Sequence, residues 1–146
     1  MSTIKRSYYC LWVSILLINN LIISAPKITH ISWGLIQIQH DDGNTISFKD
    51  AKIFPNGSES WNWSLTDLHH NPGIAKQDVL KLIYICDVLI LSTGMEKVLQ
   101  VQQETIDFLD SMGIEYYIAQ TEQAVALYNT YVEQGKKVAG LFHSTC

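Results

Sequence analysis

The chain has one arginine, Arg6, in 146 residues, three prolines and three cysteines, and only 16% of its residues are charged. Each scarcity excludes something. A nucleic-acid surface needs clustered Lys and Arg to neutralise phosphates, and no such cluster occurs, so nucleic acid is not an expected partner. The acids all lie beyond residue 25: there 8 basic groups stand against 14 acidic ones, a balance of −6. No C-x-x-C pair or other metal-like Cys/His spacing is read, and neither a G-x-G-x-x-G nor a Walker pattern is present. No metal or cofactor is therefore expected. With 47% hydrophobic residues and few charges, the chain is not of disordered type, and its length suits one domain with a real core.

The cysteines are odd in number: Cys10, Cys86 and Cys146. Cys86 sits in an apolar run and is expected as a buried thiol, with a Cys86–Cys146 disulfide as the alternative. Residues 1–25 begin with Lys5-Arg6 and continue as an apolar stretch interrupted by Asn19-Asn20. The form is that of a signal peptide, a weak anchor or an extension foreign to the domain. It falls short of the roughly 20 continuous apolar residues that a spanning helix needs, so no stable membrane insertion is expected. The domain is expected over residues 26–146.

Within it, Ile36 and Ile38 alternate with Gln37 and Gln39 as a strand does. His40-Asp41-Asp42-Gly43-Asn44 is a turn cluster, Thr45 to Phe48 the return strand, and Lys52-Ile53-Phe54 a third strand closed by Pro55-Asn56-Gly57. The second half changes rhythm. Helices are expected over Ala75–Tyr84, over Glu104–Met112 with Gly113 as its stop, and after Thr121, read as a cap, to Gly135. They alternate with strands Val88–Leu91, Glu115–Ala119 and Lys137–Phe142. The pattern predicts an α/β domain in which an N-terminal β meander adjoins a βαβαβ unit with a mixed, partly parallel sheet.

Candidate sites follow from that topology. Ligands of open α/β sheets sit beyond the carboxyl ends of parallel strands, which here supply Ser92, Thr93, Gly94, Gln120, Thr121, His143 and Ser144. Trp33, Trp61 and Trp63 are expected in the core, with Trp61 and Trp63 on one face of an extended segment. His69-His70 and His143 are read as loop imidazoles. Phe142 to Cys146 gathers His, Ser and Cys, but sequence neighbours at a chain end are not expected to be held as a catalytic triad. No catalytic residue is assigned. Asn56 and Asn62 head two Asn-X-Ser sequons, glycan acceptors only on a secreted form.

Ser32-Trp33-Gly34, Lys49-Asp50-Ala51-Lys52, Trp61-Asn62-Trp63, Asn71-Pro72-Gly73, Gly94-Met95, Gln120 to Val125 and Phe142 to Cys146, in that order, resemble the adipogenesis-associated MTH-type domain-containing proteins of animals. A mitochondrial complex I assembly factor is a more distant relative of similar fold. The resemblance implies a three-layer α/β fold and a cytoplasmic regulatory or adaptor protein without enzymatic activity, linked to fat-cell differentiation and acting through protein partners. It carries over no catalytic residue. The two alternatives are a small-molecule-binding protein or cryptic enzyme using the strand-end cleft, and a secreted glycoprotein reached through residues 1–25. The apolar leader departs from the family pattern. So does the absence of arginine around the W-x-W segment, which holds Glu59, Ser60 and Ser64, and beside the Gly94-Met95 turn, which holds Ser92-Thr93.

Overall fold

The computed structural model describes residues 24–146; the apolar leader, with Cys10, lies almost wholly outside the described residues. Strands β1 (Lys27–Ser32), β2 (Leu35–Gln39) and β3 (Thr45–Phe48) form an antiparallel meander. Strands β4 (Asp50–Phe54), β5 (Gly57–Ser60), β6 (Val88–Ser92), β7 (Glu115–Ala119) and β8 (Val138–His143) form a second sheet in the order β5-β4-β8-β6-β7. In it β6 runs parallel to both β7 and β8, and β4 runs antiparallel to β8 and β5.

The larger sheet is covered on both faces, and the residue alternation of its central strands divides two cores. Val88 and Ile90 of β6, Val138 and Phe142 of β8, and Ala51 and Ile53 of β4 pack with Ile28, Ile36, Ile38 and helix α3 (Thr121–Glu133). Leu89, Leu91, Ala139 and Leu141 point the other way, toward Trp61, Ile74, Val79, Leu82 and Leu99, with Leu109 of helix α2 (Gln103–Met112). A strand buried on both faces reads as an apolar run rather than an alternation, which is why Val88 to Leu91 carries no polar residue. The outcome is three layers, with the mixed sheet in the middle.

Several expectations change in detail. The meander does not continue past Phe48: β4 leaves the small sheet and pairs with β8, because Asp50 comes into register with His143. The helix expected over Ala75–Tyr84 is a short α1 (Lys76–Val79) followed by a 3-10 turn at Leu82–Tyr84. The α2 stop is as expected, with Gly113 left-handed at φ 65°. Helix α3 is capped by Gln120, whose side-chain oxygen accepts from the amides of Glu122 and Gln123, and not by Thr121.

Trp33 is not a core residue. It stands with Gly34 at the tip of the β1–β2 hairpin, 57% exposed. Gly34 has φ +77° there and donates its amide to the Ser144 carbonyl; a hairpin tip projects its side chain away from both sheets. Trp61 is buried as expected, at 4% exposure, and Trp63 is half-buried. Among the described residues no helix is long and apolar enough to cross a membrane.

Candidate functional site

The carboxyl ends of β6, β7 and β8 meet at one edge, as the parallel topology requires, but the crevice there is filled. The chain beyond β8 lies across Gly94: the Met95 amide donates to the Thr145 carbonyl at 2.6 Å, and the Val98 amide to the Cys146 carbonyl at 2.9 Å. Gly94 has φ +92°, and a Cβ on it would meet the Cys146 carbonyl oxygen at 2.3 Å, so only glycine allows this approach.

The predicted strand-end set is consumed in building that seam. Ser92 Oγ accepts from the His143 amide, Thr121 Oγ1 donates to the His143 carbonyl at 2.6 Å, and Ser144 Oγ donates to the Lys49 carbonyl. Thr93 Oγ1 donates to the Ala119 carbonyl and Gln120 Nε2 to the Met95 carbonyl. Ser92, Thr121 and Ser144 are fully buried. Of the expected ligand set, His143 lines a cavity beside the seam.

That cavity, about 630 Å³, opens beside β4 and β5 and is walled by Trp61, Trp63, His70, His143 and Cys146. Its geometry is built from four segments. His143 ends β8 opposite Asp50 of β4, and its Nδ1 lies 2.9 Å from Asp50 Oδ1, with both residues buried. The same oxygen accepts the Ser144 amide at 3.0 Å. The carboxylate beside Nδ1 fixes the orientation of the ring, with Nε2 turned toward His70.

His70 is brought in by the segment before Pro72. Its carbonyl accepts from the Gln100 amide at 2.9 Å, and Gly73, at φ +95°, packs so closely on Gln100 that a Cβ would clash at 2.0 Å. His70 Nε2 stands 3.2 Å from His143 Nε2 and 3.3 Å from Cys146 Sγ. Thr145 Oγ1 also stands 3.3 Å from His143 Nε2. Burial, and after it the neighbouring His143, pull the His70 imidazole below its ordinary range.

Trp63 closes the wall. Its ring centroid lies 4.5 Å from that of His143, 4.9 Å from that of His70 and 5.5 Å from that of Trp61. Trp61 and Trp63 therefore do share a face, although Trp63 opens a 3-10 turn capped by Asn62, whose Oδ1 accepts from the Ser64 amide and hydroxyl. Trp63 Nε1 is the one buried side-chain polar atom among the described residues that has no hydrogen-bond partner.

The reading of His143 and His70 as free loop imidazoles, and of the chain end as unheld, is thus corrected. His143 is a buried strand residue with a carboxylate partner, and the strand-end seam orders Cys146 beside it. His69 is the loop imidazole, exposed and 3.2 Å from Asp67. Sequence reasoning missed His70, Cys146 and Asp50 as a group. The available signal was the close spacing of His143 and Cys146; His70 joins them from 73 residues away. Cys86 and Cys146 are both free thiols. They lie at opposite ends of β6, a strand that spans about 16 Å at its length, which excludes a disulfide between them.

Residues 28–143 match the model of the DUF498/DUF598 family, described as proteins of unknown function. The chain belongs to that family. Among solved structures it is similar to the conserved hypothetical protein PH1505 from Pyrococcus horikoshii, at 24% identity and TM-score 0.63, over 82% of this chain and 99% of that one. An outer membrane protein from Bartonella henselae is similar at 18% identity and TM-score 0.65, over 85% and 98% of the two chains. A third, a Mth938-like domain protein of Bordetella pertussis, stands at 16% identity and TM-score 0.61, over 84% and 87%. These likenesses establish the Mth938-like fold.

Proposed function

We propose that this chain is a non-enzymatic regulatory or adaptor domain whose recognition surface is the tryptophan–histidine cavity. The particular branch to which its motifs point is that of the adipogenesis-associated MTH-type domain proteins, with a cytoplasmic role in fat-cell differentiation through protein partners. The observation that carries the binding reading is the open cavity of about 630 Å³ walled by Trp61, Trp63, His70 and His143. Two indoles and two imidazoles around an open pocket supply large, rigid contact area, as binding hot spots do. Ser92, Thr93, Thr121 and Ser144 commit their hydroxyls to backbone groups, while Thr145 Oγ1 lies 3.3 Å from His143 Nε2 at the cavity.

The test replaces the endogenous protein in preadipocytes with wild type or with Trp63→Ala. Wild type is expected to restore differentiation, with the variant present at equal level but inactive. Equal restoration by both would overturn the assignment of the cavity, and failure of wild type to matter at all would overturn the pathway.

A further inference from the structure

We propose that His70, His143 and Cys146 form a zinc-class transition-metal site with its fourth position open to the cavity. The three ligand atoms, Nε2, Nε2 and Sγ, all lie within 4.8 Å of one another. Tetrahedral zinc, with bonds of about 2.0–2.1 Å to nitrogen and about 2.3 Å to sulfur, sets N···N near ~3.4 Å and N···S near ~3.6 Å. Two edges of the triangle, 3.2 Å between the imidazoles and 3.3 Å from His70 to the thiol, already approach those values. The remaining edge, from His143 to Cys146 Sγ, is no longer than 4.8 Å and has to shorten by about 1 Å on binding.

The surroundings match a metal site independently of those distances. Asp50 on His143 Nδ1 forms the carboxylate–histidine pair that orients a ligating imidazole and raises its basicity. The Trp63 ring, packed on both imidazoles, screens the site on one side, while the cavity leaves room for a water or ligand on the other. Donor softness selects the ion. One thiolate and two imidazoles suit zinc or copper and not calcium or magnesium, whose oxygen ligands are missing. No methionine lines the cavity to serve as the weak axial ligand of a blue-copper centre, which favours zinc. On binding, the Cys146 thiol releases its proton and His70 ligates as the Nδ1–H tautomer.

The inference places a ligand class in the cavity proposed above as the recognition surface, but its test needs no partner. Purified full-length chain, stripped of metal, is titrated with cobalt(II). The expected result is a thiolate-to-cobalt charge-transfer band saturating at one ion per chain and abolished by zinc. Cys146→Ser is expected to eliminate the band and Cys86→Ser to leave it intact. Asp50→Asn should weaken binding about 10–100-fold, the usual effect of losing such a supporting group. Urea midpoints of the metal-free variants, Cys146→Ser above all, control for folding. Absence of a band, or a band that survives Cys146→Ser, overturns the site. So does fast alkylation of Cys146 at neutral pH that zinc does not slow, which would instead mark a cysteine–histidine nucleophile. Failure here with a positive differentiation result would remove the metal alone and leave the adaptor reading standing.

Discussion

Asp50 Oδ1 accepts hydrogen bonds from both His143 Nδ1 and the Ser144 amide, joining β4 to the end of β8 across 93 residues of sequence. One carboxylate oxygen therefore fixes a ring orientation and a backbone position together. Asp50→Ala leaves two buried donors without acceptors, and each costs about 1–3 kcal/mol. Stability should fall by roughly 2–5 kcal/mol in urea unfolding, while Asp50→Asn, whose amide oxygen can still accept, loses less than half of that. Equal losses would mean that packing, not the acceptor, is what matters.

The contact of Gly94 with the Cys146 carbonyl provides a second test. Gly94→Ala puts a Cβ where an oxygen stands, at a φ that alanine adopts with strain. The variant is expected to lose about 1–3 kcal/mol, and the Met95 and Val98 amides, which bond the Thr145 and Cys146 carbonyls, to exchange hydrogen faster. Exchange as slow as in wild type would show that the seam is held by other bonds.

The tryptophans should separate sharply. Trp61→Ala is expected to destabilise by about 3–5 kcal/mol, as large buried aromatics do. Trp33→Ala, at the hairpin tip, should stay within about 0.5 kcal/mol. Chemical denaturation followed by circular dichroism measures both without relying on the fluorescence being removed.

Cys86 is buried, and desolvation, with Asp87 adding to it, pushes its thiol up to about 12. At pH 8 the reactive thiolate of Cys86 is then scarce, so iodoacetamide should modify it only after unfolding. Cys146, half-buried at the cavity, should label in the folded protein once metal has been stripped, and more slowly with zinc added. Peptide mapping by mass spectrometry distinguishes the sites, and native labelling of Cys86 would contradict its burial.

Asn56 is exposed in the β4–β5 turn, and Asn62 has its side chain engaged as a helical cap. On the cytoplasmic reading, the intact mass of protein from its own cells should retain residues 1–25 and not change with a deglycosidase. A mass beginning near Pro26 that falls on treatment would instead place the chain in the secretory pathway, with Asn56 the expected acceptor.

How much of this was legible beforehand depended on the range of the interaction. Ile36-Gln37-Ile38-Gln39, the apolar run Val88 to Leu91 and the Gly113 stop declared their elements locally, since periodicity and backbone conformation are properties of a few adjacent residues. From these alone an α/β domain with parallel strands β6, β7 and β8 followed, and so did the convergence of their ends. Which end groups would be free did not follow. Ser92, Thr121 and Ser144 are spent on backbone groups because the chain after β8 folds back over Gly94. The site itself moved to β4, where Asp50 pairs with His143, packing of the Asn71-Pro72-Gly73 segment on Gln100 brings His70 to that imidazole, and the seam over Gly94 sets Cys146 against His70. Local sequence determines hydrogen-bonding and burial preferences, but a site whose parts lie 73 and 93 residues apart exists only once long-range register has been decided by the packed sheet.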